Sequence, residues 1–257
     1  MVCRPAPQFF VVDRSAHGYA AHVASPQAAI WEDFIDIFYA PSAVFRRREN
    51  GNFFIPLAVV TMLCGTLFYL NSGALQPMFD AEFDRAMAVA ARQNPNMPPE
   101  VVENMRGFAS RMQVVMVFVF IPIAILGVGV ATWLSGRLVD AKQTFRAALV
   151  VGAYAYAPRI IDGLLQGLQG LFLDPSRIDG RFRVSLGVGR FLDPDTVSPL
   201  VLAIVGRVDV ITIWITVLIA IGLSVTGRIP LRRAAIAAAI VWFIGGLPLI
   251  LPALRAM

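Results

Sequence analysis

Four charged residues stand where this sequence is otherwise apolar. Arg159 and Asp162 lie within YAPRIIDGLL (156–165), and Arg207 and Asp209 lie near the start of the apolar run 199–226. An ionised side chain in hydrocarbon costs at least about 2.5–3.5 kcal/mol on insertion scales, so each needs a partner, water or a ligand. Arg159 and Asp162 are three residues apart, close enough to pair on one helical face. From a helix start near 147, Arg159 lies about 18 Å and Asp162 about 22 Å into the bilayer at 1.5 Å per residue. A fourth span starting near 199 from the opposite side brings Arg207 and Asp209 to a similar depth. These positions predict an intramembrane polar cluster of Arg159, Asp162, Arg207 and Asp209, neutral in sum, between the third and fourth spans. Three roles fit it: a lock between two helices, a polar passage for an ion or solute, or a pocket in which an arginine faces a lipid phosphate. Pro158 removes a backbone hydrogen bond and predicts a helix kink. Tyr154 and Tyr156, just before it, would line any cavity there or simply pack.

The elements that carry these residues are membrane-crossing helices. The chain has 257 residues, of which 57% are hydrophobic and 15% charged, with a mean hydropathy of +0.67. A helix needs about 20 mostly apolar residues to cross about 30 Å of hydrocarbon. Five runs meet that need, at about 53–70, 112–134, 145–173, 199–226 and 233–254. They are continuous rather than alternating, which excludes a membrane β-barrel. The expected fold is an all-α membrane protein, a five-span helical bundle with an N-terminal amphipathic helix. Arg46, Arg47 and Arg48 precede the first span, and Arg137, Lys142, Arg146, Arg228, Arg232 and Arg233 fall on the same side two loops apart. This bias predicts a cytoplasmic N-terminus and a C-terminus outside.

Residues 1–27 lack an apolar core with a cleavage site and predict a flexible tail rather than a cleaved signal peptide. In the 28–50 segment, Ile30, Trp31, Phe34, Ile35 and Phe38 recur at helical spacing, with Glu32, Asp33 and Asp36 on the other side. This amphipathic helix could lie flat on the membrane, although anionic headgroups repel its acids, or dock on the protein's own basic loops. With Trp31, Phe34, Phe38, Arg46, Arg47 and Arg48 it forms an expected cytoplasmic docking surface. Residues 78–93 predict a short amphipathic helix on the outer face, and the alternation over 181–192 predicts a short strand or extended loop. Small residues near Gly152, Gly163, Gly167, Gly170 and 234–239 allow close helix approach. Packing within one bundle explains them, with self-association into a homo-oligomer as the alternative.

Catalysis has little to work with. His17 and His22 are the only histidines, both in the tail; no serine or cysteine has a neighbouring base, and no phosphate loop or metal-ligand spacing occurs. No cofactor is expected. No basic run is interleaved with stacking aromatics, so nucleic acid is not an expected partner.

Three stretches resemble one family. DIFYAPSAVFRR (36–47), ALVVGAYAYAPRIIDGLL (148–165) and VDVITIWITVLIAIGLSVTGRIPLRRAA (208–235) are similar to the aromatic-acidic helix before Pro-Ser, the small-residue Tyr-then-Pro segment and the Asp-to-Trp span of the Yip-type, or Ypt/Rab-interacting, membrane proteins. The likeness covers about 30–254, and the short N-terminal region and the FRRRENG turn resemble the bacterial branch. The resemblance implies a five-helix Yip-like transmembrane domain over 53–254. In eukaryotes the family associates with prenylated small GTPases and vesicle formation; for bacterial members it implies a fold and topology without a reaction. The expectation is a non-enzymatic integral membrane adaptor or accessory subunit in a bacterial cytoplasmic membrane, in contact with lipid and with an unidentified protein partner. The alternative is a small transporter or permease component built around Arg159 and Asp162.

Overall fold

A computed structural model describes residues 29–255; the tail expected over 1–27, with His17 and His22, lies outside the described residues. Among the described residues the regular structure is helical, and the only β-pairing is an isolated bridge between Gly187 and Asp209. Four helices or helix pairs are long and apolar enough to cross a membrane: α3 (Phe54–Asn71), α5 (Pro99–Leu138), the α6–α7 pair (Phe145–Ala155, Pro158–Phe172) and α9 (Val210–Gly227). A fifth is reached if α10 (Leu231–Ile244) and α11 (Leu247–Arg255), bent by 43°, form one span.

Local chemistry sets these boundaries. Thr144 caps α6 by accepting from the Ala147 N–H at 3.1 Å. Pro158 starts α7, after a turn at Tyr156 and Ala157, because a ring without an N–H is tolerated at the first helical position. Asp209 caps α9, accepting from Ile211 and Thr212 N–H groups at 2.9 and 3.1 Å. The run 199–226 is therefore not one span. It contains the short α8 (Pro199–Val205), a break at 206–209, and α9. Asp209 prefers capping to a helix interior, and Phe182 fills the space beside Gly206 where a side chain would sit.

Helix α6 is the centre of the bundle, with every residue from Ala147 to Ala155 buried. It crosses α5 where two glycines meet; a Cβ at Gly152 would come within 2.9 Å of the Gly129 nitrogen. Helix α7 leans on α3 instead, with the Asn71 amide donating to the Gly163 carbonyl at 3.1 Å and Gly167 leaving the space that Asn71 occupies. Helix α10 packs its Ala234, Ala237 and Ala238 face on α9. The glycine and alanine stripes are thus used within one chain.

Two further helices, α1 (Ile30–Tyr39) and α2 (Pro41–Arg48), form a hairpin whose Ile37, Val44 and Phe45 are fully buried in the main core with Val150, Val151, Ile215 and Leu218. At the opposite face, α4 (Gln76–Gln93) and the 174–198 loop build a smaller core from Leu75, Met78, Ile178 and Val184. Of the two alternatives for 181–192, the ordered loop forms and the strand does not. Turns and a 3-10 helix at Val188–Phe191 replace it, tied down by Val188 N–H to Val208 carbonyl and Gln169 amide to Val184 carbonyl bonds.

Candidate functional site

One carboxylate ties the two helices of the hairpin to each other and to α6. Asp33 is completely buried. It accepts hydrogen bonds from Arg47, from Arg48 Nε at 2.6 Å and from the Tyr154 hydroxyl at 3.1 Å. Arg47 also pairs with Asp36 at 2.8 Å, and these acids, Asp36 foremost, hold the Arg47 proton more firmly than usual. A buried carboxylate is tolerable because two guanidinium groups and a hydroxyl satisfy it. Phe34 packs on Tyr154 with ring centres 5.5 Å apart, and Phe38 meets Trp214 edge-on at 5.2 Å. Of the six residues expected to form an outward docking surface, Phe34 and Phe38 turn into the bundle, and Arg47 and Arg48 are engaged by Asp33. Trp31 and Arg46 remain exposed. Tyr154 belongs to this inner junction, whereas Tyr156 lines a cavity between α3, α5 and α7. Sequence reading missed Asp33 because its partners lie 14, 15 and 121 residues away.

The second constellation sits in the middle of the bundle. Arg159 and Asp162 pair at 2.7 Å, with Asp162 nearly buried and Arg159 about one-third exposed. Arg159 also donates to the Thr212 hydroxyl at 3.4 Å. Asp209 approaches the same Thr212 from the backbone side as the α9 cap and accepts a third bond from the Leu186 N–H at 3.1 Å. Arg207 turns away, donating to the Trp242 carbonyl at 2.7 Å and lying over the Trp242 ring at 5.3 Å. That carbonyl is available because α10 ends at Gly245 and Gly246. Arg159 and Asp162 pair with each other, but Arg207 and Asp209 make no ion pair with either of them. Capping α9 takes Asp209, and stitching the α8–α9 break to the α10–α11 break takes Arg207.

Arg159 and Asp162 end a cavity of about 370 Å³ bounded by α3, α5 and α7. Its polar lining is Asn71, Tyr156, Arg159, Asp162 and Gln166, and its apolar wall includes Cys64, Phe68, Val117 and Phe120. The cavity exists because the break before Pro158 lets α7 leave α5 and follow α3. Leu75, itself buried, lines it near the start of α4, where Phe68 meets Phe79 with ring centres 5.5 Å apart. Phe120, 60% exposed on α5, lies on its lining.

Residues 35–251 match the Yip1 domain family model. No curated protein and no solved structure matches the chain. With the match spanning most of the sequence and the helices of a multi-pass membrane protein beneath it, the chain belongs to the Yip1 domain family.

Proposed function

We propose that this protein is a non-enzymatic membrane adaptor or accessory subunit of a bacterial cytoplasmic membrane, with the α1–α2 hairpin as its cytoplasmic docking element. One observation carries the reading. The inner side of α1 is fixed by Asp33, while its outer side keeps Trp31, Ile35 and Tyr39 in one i, i+4, i+8 row, 64%, 52% and 84% exposed. A rigid row of large apolar and aromatic side chains is the kind of surface that anchors a protein interface. Exposed Arg46 at the end of the hairpin adds a positive flank. A photo-crosslinking residue placed at 31 or 39 in cells should give protein adducts of discrete mass, unchanged in pattern between the two positions. Adducts with lipid alone would refute the docking role and leave the row as a membrane-interface anchor.

A second reading, a small transporter or permease component, draws on the cavity at Arg159 and Asp162. Transport needs a path to the hairpin side past α6, which is buried from Ala147 to Ala155. Solute flux in proteoliposomes that Asp162→Asn abolishes, without loss of protein, would favour it.

A further inference from the structure

The cavity between α3, α5 and α7 has features that the docking hairpin does not use. Its lining residue Phe120 is 60% exposed and lies on α5, a helix long and apolar enough to cross a membrane, so a visitor can reach the cavity from within the bilayer. Its volume, about 370 Å³, is at the small end of ligand pockets and suits a polar head with the first methylenes, not a whole lipid. Its α5 wall is aromatic and aliphatic at Val117 and the exposed Phe120, whereas its α7 wall and the end of α3 are polar at Arg159, Asp162, Gln166 and Asn71. That is an amphiphile's polarity, head inward and chain outward.

The charges at the inner end select among amphiphiles. Arg159 is one-third exposed and uses one guanidinium nitrogen on Asp162 and another on Thr212, so donor capacity remains. A singly anionic head would gain from Arg159 but face repulsion from Asp162, 2.7 Å behind it. A head carrying both signs meets both residues favourably: phosphate on the guanidinium, ammonium on the carboxylate. A primary ammonium also donates hydrogen bonds to Asp162 and the Gln166 amide oxygen, which a quaternary one cannot.

We propose that this cavity is a lateral binding site for a zwitterionic phospholipid with a primary ammonium, of the phosphatidylethanolamine class, with its head at Arg159 and Asp162 and its chains leaving past Phe120. The site shares no residue with the hairpin, so its failure leaves the docking reading standing, and the reverse holds.

The test uses the whole protein in phosphatidylcholine nanodiscs doped with either phosphatidylethanolamine or phosphatidylglycerol. Native mass spectrometry should show the ethanolamine lipid retained over the glycerol lipid by about tenfold, the weight of one charge-assisted hydrogen bond. A chain-diazirine derivative of that lipid should label peptides containing Phe68, Val117 or Phe120 in the unmodified protein, so this arm does not depend on any variant folding. Asp162→Asn should reverse the preference towards phosphatidylglycerol, and Arg159→Gln should weaken both by about tenfold. Equal retention of the two lipids by the wild type, or label confined to peptides outside α3, α5 and α7, overturns the proposal. So does retention of O-phosphorylethanolamine alone, without chains, at the level of the lipid, since the site would then hold a free head and not an amphiphile.

Discussion

Asp33 and Asp162 are both buried aspartates paired with arginine, but their surroundings make them different devices. Asp33 is fully buried, with two guanidinium partners and a tyrosine hydroxyl. Asp162 has one guanidinium, and the pair faces a cavity of about 370 Å³. A saturated carboxylate can only hold elements together. One with an unfilled polar space beside it can exchange partners. The contrast arises from backbone: α6 is continuous and buried where it meets Asp33 through Tyr154, while α7 diverges after the Pro158 break and opens the wedge.

The contrast can be broken first at its stronger end. Replacing Asp33 by Asn strips Arg47 and Arg48 of a buried counter-charge, and breaking such a pair costs about 3–5 kcal/mol. Thermal melting in a membrane mimetic should show the largest loss of any variant discussed here, with the hairpin becoming sensitive to protease. Next comes the α5–α6 crossing that holds the two regions in place. Gly152→Ala forces a methyl against the Gly129 backbone and should lower stability by about 1–3 kcal/mol, read from the same melting curves. At the cavity, removing both charges together in the Arg159→Gln, Asp162→Asn double variant should melt nearer the wild type than Asp162→Asn alone. A single change leaves an uncompensated ion, and the double change does not. The smallest effect belongs to the Glu49–Arg228 pair, 3.9 Å apart with Arg228 75% exposed. Glu49→Gln should shift stability by no more than about 0.5 kcal/mol, which fixes the scale against which the buried pairs are judged.

How far the residues announced this architecture follows from what each signal measures. Long apolar runs gave the spans, since crossing a bilayer requires about 20 such residues in succession. The three-residue step from Arg159 to Asp162 makes their pairing a matter of helix geometry. The break at 206–209 was hidden because Asp209 and Gly206 interrupt an apolar run too briefly to end it by composition; only the Asp209 cap and the Phe182 ring beside Gly206 reveal why the helix stops there. The facing of α1 was also illegible. Trp31, Phe34, Ile35 and Phe38 are all large and apolar, so hydrophobicity cannot rank the two sides, and the deciding contact is between Asp33 and residues far along the chain. The fate of Arg207 was likewise fixed at a distance, by a carbonyl freed at the α10–α11 bend.

The difference between a closed lock and an open site is tested most directly by melting Asp33→Asn and Asp162→Asn side by side in nanodiscs rich in phosphatidylethanolamine or in phosphatidylglycerol. The account predicts that Asp33→Asn melts lower than wild type by the same margin in both, while Asp162→Asn melts lower in the ethanolamine lipid and recovers towards wild type when a glycerol-lipid phosphate can face Arg159. Equal losses for Asp162→Asn in the two lipids, or a lipid-dependent recovery of Asp33→Asn, would contradict it.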